Sequence, residues 1–216
     1  MRRLALMTAI AVALPAVARA QACRGSVSFG AVPVRLGGGA IFGKDYTGYA
    51  VSLTAGKDNS VFGDIGVSRT YFDGYDDTGD DVFAELGWQR ALGAGAQLCP
   101  ILGGSFGTGP DDDGLEVKSR FASAGVALGM TLRPKPSVKV IPNGSVRFGY
   151  IASDVTDQVT GTQTYTDSFG VADLGLGLTL FNDRLAIQPT VQFPFAADDN
   201  AVSYGIAFSV GFALKR

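Results

Sequence analysis

Residues 204–214 alternate without a break. Tyr204, Ile206, Phe208, Val210, Phe212 and Leu214 fall on one parity, and Gly205, Ala207, Ser209, Gly211 and Ala213 fall on the other. A period of two is the period of a β-strand, whose successive side chains point to opposite faces. One face of this strand is continuously apolar and the other is tiny or weakly polar. A soluble sandwich strand turns its apolar face inward and carries large polar residues outside. The reverse arrangement, apolar outward and small inward, suits the wall of a transmembrane β-barrel.

The same alternation divides the rest of the chain. It predicts ten strands, over 26–42, 48–56, 61–72, 82–92, 96–108, 116–132, 138–153, 168–180, 185–196 and 203–214. Most approach the roughly 9–11 residues that cross a bilayer at a tilt. The connections alternate as well. Those at 57–60, 93–95, 133–136 and 182–184 are short, whereas 73–81, 109–115, 154–167 and 197–202 are longer, polar and rich in Asp. Short turns at one end and longer loops at the other are a barrel's asymmetry, and an even strand number returns both termini to the short-turn side. The first strand is the irregular one, because Pro33 and Gly37-Gly38-Gly39 interrupt it and proline cannot donate to a central ladder. If 26–39 is instead a plug or lead-in, the strand begins near Ala40, and eight strands are the alternative count.

Met1-Arg2-Arg3, the apolar run Leu4 to Val17 and Ala18-Arg19-Ala20 have the three parts of a secretory signal peptide. The chain therefore divides into a cleaved leader, 1–20, and a single barrel domain, 21–216. Of 18 basic residues, Arg2, Arg3 and Arg19 leave with the leader, against 20 acidic residues. The mature chain is acidic, which argues against nucleic acid as a partner. Glycine is abundant, with 30 residues, but Gly37-Gly38-Gly39 lacks the strand–loop–helix setting of a phosphate-binding loop.

Several charges lie on the inward parity. Arg35, Asp64, Glu85, Arg147 and Asp173 are expected to form an ion-pair network in the lumen, with Arg147 central and Gln188 and Gln192 nearby, because an isolated buried charge is very costly. The functional alternative is a conduit whose charges set ion preference. Cys23 and Cys99 are the only cysteines. Both lie toward the short-turn end, so a disulfide across the barrel mouth is expected; free thiols or an acylated Cys23 are the alternatives. Tyr71, Trp88, Tyr150 and Tyr204 sit near strand ends, where interfacial aromatics belong.

The leader, the alternating strands, the loop asymmetry and the closing segment Tyr204–Leu214 together resemble the small outer-membrane β-barrels of Gram-negative bacteria. That group includes outer-membrane protein A barrel domains and opacity-type adhesins. The chain departs from their usual aromatic terminus, since Phe212 is followed by Ala213-Leu214-Lys215-Arg216. The resemblance implies an antiparallel up-and-down barrel in the outer membrane, in contact with lipid and lipopolysaccharide and dependent on the barrel assembly machinery. It implies a non-enzymatic structural or surface-interaction role, with a small porin-like channel as the alternative.

The chain contains no histidine. The enzymes carried on small outer-membrane barrels (omptin-type proteases, lipid A palmitoyltransferases and deacylases, and the phospholipase) use one, because histidine titrates near neutrality without help. A carboxylate-only enzyme built on Asp64 and Glu85 is the remote alternative. No cofactor is expected. Asp76, Asp77, Asp80 and Asp81 form an acidic loop that could hold calcium through oxygen ligands, although a solvated anionic surface is the simpler reading. Arg69, Lys118 and Arg120, near the outer rim, are the candidates to contact lipopolysaccharide phosphates.

Overall fold

The computed structural model describes residues 22–25, 29, 32–74, 78–109, 115–135, 137–157, 161–195 and 201–212. The predicted leader, Asp76, Asp77 and 213–216 lie outside them. Twelve strand segments are present: β1 (Val34–Phe42), β2 (Tyr46–Gly56), β3 (Val61–Phe72), β4 (Thr78–Trp88), β5 (Arg90–Gly93), β6 (Ala96–Thr108), β7 (Leu115–Met130), β8 (Leu132–Lys135), β9 (Val138–Asp157), β10 (Gly161–Leu180), β11 (Leu185–Phe195) and β12 (Ser203–Phe212). β5 continues β4 against β6, and β8 continues β7 against β9. The result is ten antiparallel staves, each paired with its chain neighbours, and β1 closes the ring on β12.

Closure fixes the stagger of the wall. The row of facing residues Val51, Val67, Val82, Phe106, Arg120, Ala152 reaches β10 at Thr166. Followed the other way, through Gly38, Phe208 and Ile187, the same row returns to β10 at Leu178, twelve residues further on. A twelve-residue shear on ten strands tilts each strand by about 40°. Rows therefore wind around the barrel instead of lying level. The polar boundary shows this. Arg69, Arg120 and Ser168 are the first outward polar residues on β3, β7 and β10, and each lies one row further down than the last.

The outward face carries Leu53, Val61, Ile65, Val67, Leu86, Leu102, Phe148, Leu174 and Ile206, all exposed. On β3 the outward positions from Val61 up to Arg69 span roughly 20 Å along the axis, close to the apolar band of a barrel in lipid. Trp88 bounds this band at the short-turn end, and Tyr71 and Tyr150 bound it at the other.

Three boundaries differ from the sequence pattern. The first strand begins at Val34 rather than at 26, immediately after Pro33, which avoids a missing donor in the ladder. Gly37-Gly38-Gly39 does not interrupt it; all three residues pair on both sides. Second, β4 begins at Thr78, so the preceding loop is shorter than 73–81. Third, most of 154–167 is strand. β9 and β10 pair from Asp157 and Gly161 onward, beyond the lipid band, where Thr and Ser replace the apolar parity that marks the wall.

Arginine at position 65, near the middle of the outward band, should cost about 2–4 kcal/mol. Urea unfolding of Ile65→Arg in phospholipid vesicles measures this, and a cost indistinguishable from zero would place that face away from lipid.

Candidate functional site: the occupied lumen

Inward side chains are small over much of the wall, which leaves space that the strands cannot fill. The N-terminal segment fills it at the short-turn half. Residues Ala22–Arg24 form a single 3-10 turn. Ala22 and Cys23 are buried, as are Phe29 and Val32. Cys23 is joined to Cys99 on β6 by a disulfide across 76 residues of sequence, with the Cα atoms 6.2 Å apart. The Ala22 amide donates to Gln97 Oε1 at 2.9 Å. Phe29 packs on Phe62, with ring centroids 6.3 Å apart, and a cluster of Cys23, Phe29, Phe62, Cys99, Ile101 and Ala127 makes a dry floor.

Glycines in the wall make room for this segment. A Cβ on Gly129 would collide with the Ala22 carbonyl, and one on Gly177 with the Gly25 carbonyl. Val32 occupies the space above Gly211 in the same way.

Arg24 follows the disulfide and projects into the mid-lumen charges. It bonds Glu85 through one guanidinium nitrogen and Asp64 through the other, the latter at 3.0 Å. Glu85 also faces Arg147 at 3.6 Å, and Arg147 bonds Asp173 at 2.7 Å. Asp64, Arg24, Glu85, Arg147 and Asp173 thus form one chain of alternating sign across the lumen. Thr54 donates to one end at 3.0 Å and Ser145 to the other at 2.6 Å. Arg147 reaches across because Gly125 beneath it has no side chain; a Cβ there would meet Arg147 Cγ at 2.7 Å.

Arg35 is not part of this chain, contrary to expectation. It is 2 % exposed, lies toward the short turns, and donates to the Asp183 carbonyl at 2.6 Å and to Ser209 Oγ at 3.3 Å. Beside it, Lys139 pairs with the Asp183 carboxylate, an inward ion pair the sequence reading missed. Asp183 sits in a short turn, where strand parity gives no direction. Arg24 was missed for a related reason: it precedes the strands and has no parity. Its signal was the neighbouring Cys23, whose tether to Cys99 brings residue 24 inside. Gln188 lies by the network and donates to Asn143 at 3.2 Å, while Gln192 accepts from Ser203.

Two lumen cavities, of about 240 and 220 Å³, flank Arg24. Their walls include Ser52, Thr54, Ser145 and Thr190, which suit water or a small polar solute.

At the rim, Asp80 and Asp81 cannot share a calcium ion. Adjacent strand residues point to opposite faces. Asp80 points outward and takes both ends of the Arg69 guanidinium at 2.7 Å, while Asp81 points inward over Gly107. Asp76 and Asp77, the other half of that expectation, lie outside the described residues. Arg69, Lys118 and Arg120 all stand on the outward face, paired with Asp80, Glu116 and Asp154 respectively. Tyr71 packs edge-on against Tyr49 at 6.0 Å, and Trp88, Tyr150 and Tyr204 are outward and exposed.

Neither the protein-family models nor the curated proteins contain a match to this chain. Solved structures do. The translocator domain of the autotransporter NalP from Neisseria meningitidis is 11 % identical with a TM-score of 0.53, covering 99 % of this chain and 94 % of that one. The beta domain of the Bordetella autotransporter BrkA is 11 % identical with a TM-score of 0.50, covering 83 % and 98 %. What the chain shares with them is the fold.

Removing the disulfide, as Cys23→Ser with Cys99→Ser, should cost about 2–4 kcal/mol. Arg24→Ala should cost about 2 kcal/mol, less than a fully buried pair because Arg24 is a third exposed. Urea titration of the folded protein in detergent measures both. An Arg24→Ala midpoint equal to wild type would show that the lumen acids do not depend on it.

Proposed function

We propose that this chain is a non-enzymatic integral outer-membrane barrel whose own N-terminal segment seals its lumen, and that its role is to stabilise the envelope and present the far ends of β7, β9 and β10 outside. The observation that carries this reading is the placement of the turn at 22–25 inside the barrel. This turn is covalently fixed to the wall by Cys23–Cys99, seated on glycines and tied by Arg24 to two strands. A conduit would gain nothing from burying Phe29, Phe62 and Ile101 together on the inner side of its wall. The outer membrane is the location that fits an exported disulfide-bearing chain with a continuous apolar outer band.

The lack of histidine supports a non-catalytic role. So does the engagement of Asp64 and Glu85, the carboxylates of the remote enzyme alternative, with Arg24. Membrane lipid and lipopolysaccharide are the proposed lasting partners, and the barrel assembly machinery a transient one.

One observation favours a porin-like second reading: the two polar cavities beside Arg24 adjoin, sharing Arg24, Gln188 and Ala207 in their walls. Single-channel recording of the refolded mature protein in planar bilayers separates the two. The sealed reading expects a silent wild type, with openings in Cys99→Ser carrying Arg24→Ala. Discrete ion-selective openings in the oxidised wild type would replace it with the channel reading.

A further inference from the structure

One strip of small outward residues, on β7, ends beneath a pair of cations. On β7 the outward residues below Arg120 are Ala122 and Ala124, both exposed. Ala124 has a large register neighbour on each side, Leu102 and Phe148, and Ala122 has one, Tyr150. Phe106 and Leu102 stand on β6, at 70 % and 63 % exposure, and Tyr150 and Phe148 stand on β9. Between Phe106 and Leu102, β6 contributes Gly104, directly beside Ala122. Ala124 is therefore the floor of a trough whose walls, Leu102 and Phe148, stand two strand spacings apart, roughly 10 Å, and at Ala122 the trough opens over Gly104 toward β4. It runs about 15 Å down the barrel from Arg120 to Val126.

The upper end of the trough is cationic. Lys118 and Arg120 stand on the same face of β7, above the alanines. They also border an open concavity of about 1100 Å³, whose wall changes from Val67, Val82 and Phe106 to Arg69, Lys118 and Arg120. Arg120 gives one guanidinium nitrogen to Asp154 at 2.6 Å, and Lys118 pairs with Glu116 at 2.7 Å. Both pairs are at the exposed surface, where ion pairs hold weakly. A phosphate can therefore share or take these donors, and guanidinium–phosphate bonds are among the stronger ones.

From this we infer that β7 carries a lipid seat. One acyl chain of a phosphorylated glycolipid lies over Ala122 and Ala124, and its phosphate meets Lys118 and Arg120. This rests on the outer-membrane reading, which places the loop end of the barrel in the outer leaflet. The geometry suits a chain rather than a flat ring system, because the trough narrows to one strand at Ala124 and runs several residues along β7. Phe148 is held upright as a wall by its edge contact with Phe195, at 5.5 Å.

The test is native mass spectrometry of the folded mature protein in nonionic detergent, titrated with a diphosphorylated hexa-acyl disaccharide lipid and with its dephosphorylated form. Ala122→Phe fills the trough without touching the cations. Lys118→Ala with Arg120→Ala removes the cations without touching the trough. Ile206→Phe, outward on β12, is the control. Each of the first two should weaken binding about tenfold or more, the control should bind as wild type, and the dephosphorylated lipid should bind weakly throughout. Equal binding by Ala122→Phe, or by the dephosphorylated lipid, overturns the seat. Should Ala122→Phe fail to fold, Ala124→Phe carries the same test. Failure of the barrel reading itself would show separately, as a wild type without strand circular dichroism or compact migration in detergent.

Discussion

A chain that crosses lipid with strands must satisfy every backbone donor and acceptor within its own sheet, and an open edge there costs several kcal/mol for each unpaired group. The pairing of β1 with β12 meets that requirement, and much else follows from it. Closing ten strands with a twelve-residue shear sets the tilt, and tilt makes each row of facing residues wind upward. The sequence is written to match. Polar outward residues begin one row lower on β7 than on β3, and lower again on β10, so that a level membrane boundary crosses a sloping ladder.

The same closure creates the interior problem. Ten tilted strands enclose more space than Gly, Ala and Ser on the inward parity can fill, and an empty lumen would leave Asp64 without a cation and Glu85 with Arg147 alone. The N-terminal segment meets both needs. Its apolar residues make a packed floor with Phe62 and Ile101, and Arg24 supplies a second cation beside Arg147 and the one that reaches Asp64. The disulfide holds the segment in the denatured ensemble as well as in the folded one, so its largest effect is on the entropy of the open chain. Wall glycines are the complement of this segment: Gly129 and Gly177 stand where its carbonyls press against the sheet.

Charge is arranged in two layers with different physics. Inside, the alternating chain from Asp64 to Asp173 is largely shielded from solvent, so each member depends on its neighbours. Outside, Arg69, Lys118 and Arg120 pair with carboxylates in solvent-exposed positions, where the pairs hold weakly and can exchange for a phosphate. The alanine strip beneath Lys118 and Arg120 makes that exchange local to one strand rather than a property of the whole rim.

The period-two alternation by itself determined the ten-strand barrel, which face meets lipid, and the inward direction of Asp64, Glu85, Arg147 and Asp173. Parity is a local property, and every strand residue carries it. The sequence also brought Cys23 and Cys99 to the same end. Only the tertiary structure decided what lies outside parity. Residues 22–25 form a turn and not a strand, so their place in the lumen, and with it the role of Arg24, depends on which wall positions are glycine across the barrel. Asp183 sits in a turn, so its pairing with Lys139 depends on how β10 and β11 meet. Arg35 points inward as its parity requires, yet it misses the network because the shear puts its depth near the short turns. The alternation of Asp80 and Asp81 across β4 became visible only when the strand was seen to begin at Thr78. Direction is set by neighbours in sequence, whereas depth and partnership are set by the stagger of the closed sheet.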